Sequence, residues 1–315
     1  MKASVLIPAY NASVTLPLVL KSLNLQDFSD FEVVLMDDGS TDDTSAVAHH
    51  HTGRLDLHVH RTAQNLGSGC ARNFGAGKTQ GEILLLLDSD VEVFPDYISA
   101  HLALHHRQPR AVGVGSLEFP YNLARQGLAR YYATRGRVKL NNPSLMPGKY
   151  FVSTVASVPR SLFDEVGGFD PAFRSYGGDD LELGLRLEKV GAHLEYLPLA
   201  KAYHHHLRTI KQMIKAVESY GRGSVPLILE RHPEFAREMV LDDMIEPFSR
   251  GSLTTLARRV ICAGIFFYPL RTLADLLQRG PLPFRLLDYL TWRSYRRGFA
   301  RSLSDNRLKS GARRM

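Results

Sequence analysis

Two acidic pairs each follow a short apolar run in the first third of the chain. Asp37 and Asp38 come after residues 31–36, and Asp88 and Asp90 follow residues 82–87. Ligands of open parallel sheets bind beyond the carboxyl ends of the strands, so these positions suit chemistry. Alternating carboxylates such as Asp88 and Asp90 share one face of an extended segment and can hold a hard divalent cation. The pattern predicts a Mg²⁺ or Mn²⁺ site, with a solvated turn as the alternative.

An aromatic and an amide side chain follow the first apolar run, residues 4–8. Tyr10 offers stacking area and Asn11 offers polar contacts, while a buried Asp38 can accept a hydrogen bond from a pyrimidine base. Helix capping is the compatible alternative for the acids and for Ser40. The strand ends therefore predict a nucleotide site.

A glycine-rich turn at residues 65–73 opens a predicted helix. Backbone N–H groups around Gly67 and the guanidinium of Arg72 could meet phosphate there. Arg72 stands where the dinucleotide-binding fingerprint needs its third glycine, and residues 77–79 lack the earlier glycine of a Walker A loop. The spacing excludes both of these nucleotide motifs.

The segments that must position these residues alternate between strand-like and helix-like patterns, which indicates an α/β fold with a mostly parallel sheet flanked by helices. We expect a catalytic domain at residues 1–225, with a nucleotide and metal half (1–110) and an acceptor half (111–225), followed by a basic helical region at 226–315. Predicted strands are residues 4–8, 31–36, 55–60, 82–87, 111–117, 151–158 and 194–197; predicted helices are residues 14–25, 41–51, 69–78, 123–140, 180–190 and 207–220, the last ended by Pro226.

The composition is that of a globular protein with an uneven charge. Hydrophobic residues make up 44% and charged residues 23%, which excludes wholesale disorder and a multi-spanning membrane protein. The net charge is +7, but residues 251–315 alone hold thirteen Lys or Arg against three Asp, a local charge of +10. Two cysteines without metal or redox spacing, and no signal-peptide pattern, predict a cytoplasmic protein.

The basic tail predicts an anionic partner. Residues 260–270 are apolar but too few to span a bilayer, whereas residues 284–299 interleave aromatic and arginine side chains as interfacial helices do. We therefore expect the tail to contact the inner membrane face. A packed helical hairpin or a dimer interface is the alternative. No nucleic acid is expected, because no recognised binding motif accompanies the charge.

Five motifs resemble, in order and spacing, the family 2 glycosyltransferases of the GT-A fold. The resemblance covers about residues 1–225 and implies an inverting enzyme that moves a sugar, from UDP by expectation, to a hydroxyl of a glycan or lipid-linked acceptor in cell-envelope biosynthesis. The acceptor-side motif resembles the family's Gly-Glu-Asp, with Asp179 replacing the usual Glu. The motifs are residues 4–11 (SVLIPAYN), 37–42 (DDGSTD), 65–73 (NLGSGCARN), 87–90 (LDSD) and, on the acceptor side, 166–170 (VGGFD) with 177–186 (GGDDLELGLR).

The same resemblance assigns roles to single residues. It implies metal and ribose contacts from Asp88 and Asp90, with Asp90 the direct metal ligand. Family members often add a histidine after the next strand, and residues 203–206 occupy that place. We favour His204 as this ligand and His205 second, with His206 left open and a polar helix cap as the alternative. Nucleotide contacts are implied for Pro8, Tyr10, Asn11, Asp38, Gly67, Arg72 and Asp88.

Asp180 matches the aspartate of the acceptor motif, which implies that it is the catalytic base. Asp179 could form a capping pair with Glu182 at the helix start. A helix N-terminus lowers the pKa of a carboxylate, so we expect Asp180 to be ionised but weak as a base. His101 and His105, spaced i,i+4 without the Glu of a zincin motif, are predicted to be solvated.

Two other functions fit the same residues. A catalytically silent nucleotide-sugar binding protein would use the acceptor-side acids only as helix caps. A nucleotidyltransferase would also use a Mg²⁺-carboxylate site but has no need of the motif at residues 177–186. Release of free nucleoside diphosphate or of pyrophosphate separates the three functions.

Overall fold

A computed structural model describes residues 2–51, 55–135, 140, 142–236 and 264–312, except for the side chains of residues 306–312. The chain divides into two compact units. The first, here the sheet unit, comprises Met1–Ala124, Ala133–Pro171 and Asp179–Leu207; the second, here the helical unit, comprises Arg125–Tyr132, Ala172–Gly178 and Arg208–Met315. The sequence predicts a boundary after residue 225, whereas residues 208–225 group with the C-terminal helices.

Eight strands of the described residues form one sheet in the sheet unit: β1 (Ala3–Ala9), β2 (Phe31–Asp37), β3 (Asp56–Arg61), β4 (Ile83–Leu87), β5 (Val91–Val93), β6 (Ala111–Glu118), β7 (Val155–Pro159) and β8 (His193–His204). Their order is β3-β2-β1-β4-β7-β6-β8-β5. The first four strands in this order are parallel; β7 is antiparallel to both neighbours, and β8 is parallel to β6 but antiparallel to β5. The predicted α/β fold is confirmed, with a sheet that is parallel on one side and mixed on the other.

The burial of the central strands explains why the sequence pattern predicts them. All residues of β1 and β4 are buried, as expected for strands covered on both faces, and apart from Ser4 both segments are apolar. In contrast, β5 has three residues and β8 continues well past residue 197, where the prediction ended it. The pairing of Val91 with His204 holds these two segments together, and a contact between residues so far apart in sequence leaves no local pattern.

Helices surround the sheet and build the helical unit. The sheet unit contains α1 (Leu16–Asn24), α2 (Thr44–His49), α3 (Ser68–Ala76), α4 (Tyr97–Arg107), α5 (Tyr121–Ala124), α7 (Arg160–Glu165) and α8 (Asp179–Lys189), and the helical unit contains α6 (Gly127–Tyr132), α9 (Ile210–Ser219), α10 (Val225–Arg231), α11 (Phe267–Leu277) and α12 (Phe284–Ala312). None of the helices in the described part of the chain has the length and hydropathy needed to cross a bilayer.

The helical unit depends on a close helix crossing. A π-helical turn, Tyr220–Ser224, joins α9 to α10, so the predicted break at Pro226 is wrong. Pro226 lies in the first turn of α10, and the helical backbone of the π turn continues through it. Side chains at Gly221 and Gly298 would collide with the backbone of the facing element, so α12 and the π turn approach closely only because both residues are glycine.

The prediction that His101 and His105 are solvated is wrong. Both lie on the buried side of α4, and each has a ring nitrogen 2.8 Å from Oγ of Ser157 on β7. Burial, helped by the neighbouring charge of His105, lowers the pKa of His101 to about 3. Burial and the charge of His106 lower the pKa of His105 to about 4. The two imidazoles are therefore neutral parts of the core, because charging them there would require desolvation.

This burial predicts a pH-dependent stability. The unfolded chain binds protons at His101 and His105 below a pKa of about 6.5, whereas the native chain does not, so stability falls as the pH drops from about 6.5 towards about 4. At pH 5 each histidine should lower the free energy of unfolding by about 2 kcal/mol. Urea unfolding between pH 7 and pH 5 should show this loss, and His101→Gln with His105→Gln should lessen it. An equal pH slope in wild type and double variant would contradict the assignment.

Candidate active site

The loops after β1 and β2 are joined to each other. The N–H of Asn11 donates to Ser40 Oγ (3.0 Å), and the N–H of Thr41 donates to Asn11 Oδ1 (2.8 Å). Asn11 has φ 52°, a left-handed conformation that asparagine tolerates better than most residues. Tyr10, beside it, is 48% exposed, whereas Pro8 is buried within β1. Of these predicted nucleotide contacts, Tyr10 and Asn11 therefore lie at the surface of the strand ends.

Asp38 holds the glycine-rich turn in place. Its buried carboxylate accepts hydrogen bonds from the N–H groups of Leu66 and Gly67 (both 2.9 Å) and from Thr62 Oγ1 (3.0 Å). Gly67 has φ +93°, and a Cβ there would point into open space. The turn thus presents open backbone at Gly67, and the Asp38 carboxylate fixes its position from behind.

The positively charged side chain of Arg72 is buried and does not lie at the protein surface. It is 2% exposed, its guanidinium donates to Asp88 Oδ1, and it lies over the ring of Phe169, 5.5 Å from the centroid. Thr154 Oγ1 donates to the other oxygen of Asp88 (3.0 Å). Both carboxylate oxygens of Asp88 are therefore engaged within the protein.

Asp90 and His204 face each other across β5 and β8. Their Oδ2 and Nε2 atoms are 3.3 Å apart, and the His204 ring stacks on Phe119 at 5.8 Å. Burial alone would raise the pKa of Asp90, but the hydrogen bond and charge of His204, with the charge of His206, hold it below its usual value. His205 pairs instead with Glu92 (2.7 Å). The structure thus places the imidazole of His204, and not that of His205, beside the carboxylate of Asp90.

A carboxylate and an imidazole within one cation's reach fit a borderline divalent ion such as Mn²⁺. Asp88 does not complete a compact cluster with them, since Arg72 and Thr154 hold it. Among the described residues, Glu32, Asp56 and His58 form a compact three-ligand group. That group lies at the amino ends of β2 and β3, opposite the end that carries Asp37. Asp90 and His204 therefore remain the pair that matches the strand-end site.

Asp180 lies near the start of α8, where its environment disfavours the charged form of the carboxylate. Its Oδ1 is buried without a hydrogen-bond partner among the described residues. Burial and the charge of Asp179 raise the pKa of Asp180 to about 7, against the opposing effects of Arg72 and a hydrogen bond from Ser153. The predicted lowering by the helix N-terminus is wrong, because desolvation and a like charge outweigh the helix dipole here.

Asp179, the first residue of α8, shares this environment. Burial raises its pKa, and the charge of Arg72 opposes the rise. Glu182, its predicted capping partner, accepts hydrogen bonds from Arg186 Nε (2.7 Å) and Nη2 (2.6 Å). Arg72 thus faces three carboxylates, those of Asp88, Asp179 and Asp180, and one guanidinium cannot neutralise all of them.

Two positioning residues were not singled out from the sequence. Asn73 exchanges two hydrogen bonds with the backbone of Phe169, each 2.8 Å. Arg186 donates to the carbonyl oxygens of Val166 and Gly168, so it joins α8 to the turn at residues 166–170. The glycine pair at 167 and 168 is the sequence signal that could have indicated these contacts. Both glycines have positive φ, which marks a tight turn, and the carbonyl groups of such a turn need hydrogen-bond donors.

Two family models match parts of this chain. The family model described as glycosyl transferase family 2 matches residues 4–167, which is more than half of the chain. The chain belongs to glycosyl transferase family 2. A second model, described as the N-terminal domain of galactosyltransferase, matches residues 140–210 and so covers the acceptor-side motif.

Curated relatives carry glycosyltransferase names. Validoxylamine A glucosyltransferase of Streptomyces hygroscopicus subsp. jinggangensis is 33% identical over 217 residues, which covers 60% of this chain and 51% of that protein. The pre-mycofactocin glycosyltransferase of Mycobacterium tuberculosis is 28% identical over 251 residues, or 76% of this chain and 50% of that protein. The chain spans about half the length of these two relatives.

Solved structures share the GT-A fold. Residues 1–349 of S. aureus TarS in complex with UDP-GlcNAc align with a TM-score of 0.56 at 19% identity, covering 98% of this chain and 92% of that chain. The mannosyltransferase PcManGT of Pyrobaculum calidifontis, in complex with GDP-Man and Mn²⁺, aligns with a TM-score of 0.62 at 18% identity, covering 96% and 87%. At this identity the likeness establishes the fold.

The contacts of Asp38 predict a structural effect of Asp38→Asn. Leu66 and Gly67 donate to different oxygens of Asp38, so the NH₂ group of an amide would face the N–H of one of them, and a lost hydrogen bond to a charged group costs about 1.5–3 kcal/mol. We expect faster amide hydrogen exchange at residues 62–67 and a lower unfolding midpoint. Asp43→Asn, at an exposed residue before α2, is the matched control. Unchanged exchange at residues 62–67 would show that Asp38 does not hold the turn.

Proposed function

We propose that this chain is an inverting glycosyltransferase that moves a sugar from a nucleotide diphosphate donor to a hydroxyl acceptor. The observation that carries the proposal is Asp180, a carboxylate with one buried, unpartnered oxygen and a pKa raised to about 7. A general base works best when its pKa lies near the operating pH. Membership of glycosyl transferase family 2 and the glycosyltransferase names of its relatives support sugar transfer as the reaction.

The donor we propose is a UDP-sugar. S. aureus TarS has been solved with UDP-GlcNAc and with UDP, whereas PcManGT was solved with GDP-Man. In this chain the half-exposed ring of Tyr10 can stack on a base, and the open backbone at Gly67 can approach phosphate. Asp88, oriented by Arg72 and Thr154, is assigned to the ribose, and Asn11 to polar contacts with the nucleotide.

Asp90 and His204 would hold Mn²⁺ or Mg²⁺, with donor phosphates supplying further ligands. When bound, the cation supplies positive charge that stabilises the departing diphosphate. Asp88 is close in sequence but engaged by Arg72, so its role as a second metal ligand would require it to leave that ion pair. We therefore assign Asp90 as the direct carboxylate ligand.

Asp180 would act on the acceptor. Its carboxylate accepts the proton of the acceptor hydroxyl as that oxygen forms a bond to the anomeric carbon, while the bond from this carbon to the diphosphate oxygen breaks and the diphosphate leaves with the electron pair. Attack opposite the leaving group in one displacement inverts the anomeric configuration. Asp179 supports this role, because its charge raises the pKa of Asp180 and makes it a stronger base.

The acceptor we propose is a glycan or a lipid-linked molecule of the cell envelope, and the protein is proposed to be cytoplasmic and peripheral on the inner membrane face. The charge of +10 at residues 251–315 supports an anionic membrane surface as a partner. This location would bring the enzyme to lipid-linked acceptors.

Product analysis tests the whole proposal. Incubation with a panel of sugar nucleotides and Mn²⁺ should release nucleoside diphosphate and form a glycoside of inverted configuration. Release of pyrophosphate would identify a nucleotidyltransferase instead. Binding without any turnover, across acceptors that include lipid-linked sugars, would favour the silent binding protein.

Asp180→Asn should keep donor binding and lose about 10²–10⁴-fold in transfer rate, because the amide cannot accept the proton. The remaining activity should also lose its dependence on pH near 7. Asp164→Asn, at an exposed acid on α7, is the control for removal of one negative charge. Transfer at a near-native rate, or a product that retains the donor's configuration, would rule out Asp180 as the base.

Asp90→Ala should abolish the part of UDP affinity that depends on Mn²⁺ and leave the fold intact, since the side chain is part-exposed at a strand end. Calorimetric titration of UDP with and without Mn²⁺ measures this difference. Glu92→Ala is the matched control, because Glu92 lies two residues away and pairs with His205 instead of His204. If Asp90→Ala binds UDP and Mn²⁺ as tightly as wild type does, the metal assignment is wrong.

A further inference from the structure

The helical unit carries an apolar helix face that its own core does not use. Phe267 and Ala274 are the buried residues of α11, and they lie on one side of it. The opposite side exposes large apolar side chains, with Leu276 77% exposed and Ile265, just before the helix, 68% exposed. The other members of this set are Phe266, Tyr268, Leu273 and Leu277. We call these six residues the α11 face.

Such a concentration of exposed apolar side chains is unusual on a protein surface. Single exposed leucines are ordinary, but contiguous apolar patches mark binding surfaces. Leu273, Leu276 and Leu277 fall at i, i+3 and i+4, so they lie on one face of the helix. The aromatic residues Phe266 and Tyr268 lie at its N-terminal end, as aromatic residues do at bilayer interfaces.

Arginines rim this face. Arg271 and Arg297 lie over the ring of Tyr268, at 5.7 and 6.0 Å, and Arg297 donates to its hydroxyl (3.1 Å). Arg271 also pairs with Asp275, whereas Arg279 and Arg285 are exposed and have no carboxylate partner among the described residues. A face of leucine and aromatic side chains rimmed by arginine complements the hydrocarbon edge and the phosphates of an anionic bilayer.

A cavity of about 370 Å³ adjoins the turn that follows α11. Residues 281–285 line it together with Gly127 and Arg130 of α6. Its walls are apolar at Pro281, Leu282 and Phe284, and two guanidinium groups, those of Arg130 and Arg285, are available to a phosphate. A lipid headgroup with the first part of its acyl chain has this combination of chemistry.

Several aromatic and arginine residues farther along α12, by contrast, are used within the helical unit. Trp292, Tyr295 and Phe299 pack with Val225, and Arg301 pairs with Glu218. The interfacial pattern predicted at residues 284–299 therefore serves packing to a large extent, which moves the membrane contact to α11.

We propose that the α11 face inserts into the surface of an anionic lipid bilayer, with Arg130 and Arg285 taking a headgroup phosphate. This inference rests on the proposed membrane contact of residues 251–315 and replaces general electrostatic adsorption by insertion of a defined helix. The α11 face lies parallel to the bilayer in this arrangement, because the helix is too short to cross it.

The first experiment compares two variants of the full chain. Leu273→Gln with Leu276→Gln and Leu277→Gln should weaken co-sedimentation with phosphatidylglycerol vesicles by about tenfold or more, at 0.1 and at 0.5 M salt. Arg130→Gln with Arg285→Gln should instead lessen the preference for phosphatidylglycerol over phosphatidylcholine vesicles. Because this preference is electrostatic, the difference between variant and wild type should shrink at high salt. Circular dichroism checks that both variants fold.

A second measurement locates the contact directly. The chain has one tryptophan, so Leu276→Trp in a Trp292→Phe background reports on α11 alone. Bromolipids in anionic vesicles should quench this tryptophan, whereas Tyr121→Trp, an equally exposed position on α5, should not be quenched in the same background. Equal quenching at both positions, or at neither, would overturn the insertion of α11.

The outcomes separate the underlying ideas. A wild-type chain that ignores anionic vesicles at low salt overturns the membrane contact and this inference together. Unweakened binding of the triple leucine variant overturns insertion and leaves adsorption by charge. A wild-type dimer that the leucine variant dissociates, without vesicle binding, would make the face an interface between two copies. Sugar transfer does not enter these readouts, so failure of the proposed reaction is detected separately.

Discussion

The buried guanidinium of Arg72 is the interaction on which the rest of the site depends. It bonds to Asp88 and faces Asp179 and Asp180, so one positive charge stabilises the charged forms of three carboxylates. Since it cannot neutralise all three, the excess negative charge and the burial raise the pKa of Asp180. The same cation therefore keeps Asp88 ordered at the end of β4, but it does not bring the pKa of Asp180 back to its usual value. Loss of one member would leave buried charge unpaired, which is costly.

The glycine-rich turns of the site are held by side chains behind them. Asp38 binds the turn before α3, and Asn73 and Arg186 bind the turn at residues 166–170. Hydrogen bonds from side chains to backbone fix such turns without covering their outer surface. This arrangement suits nucleotide binding, because open backbone near Gly67 stays accessible while its position is fixed. Several family motifs thus act here by positioning backbone.

The division into a sheet unit and a helical unit differs from the predicted catalytic domain at residues 1–225 followed by a basic helical region. The sheet unit contains all the residues assigned to donor, metal and base. The helical unit combines a tight glycine-mediated helix crossing with the α11 face. Residues 208–225 belong to the helical unit, so the segment that directly follows the histidines of β8 already serves that unit.

The sequence by itself determined the fold class and the strand ends that carry Asp38, Asp88 and Asp90, because central parallel strands are nearly continuous apolar runs and polar residues follow where each strand ends. Tertiary structure alone decided the environment of each group. Partners distant in sequence bury His101 and His105 against Ser157, bring His204 to Asp90 through β5, and place the charges of Arg72 and Asp88 near Asp180. Burial and pairing of this kind set the pKa values of these side chains and decide which helix faces are exposed. They depend on contacts between residues far apart in sequence, and such contacts leave no periodic pattern in the sequence.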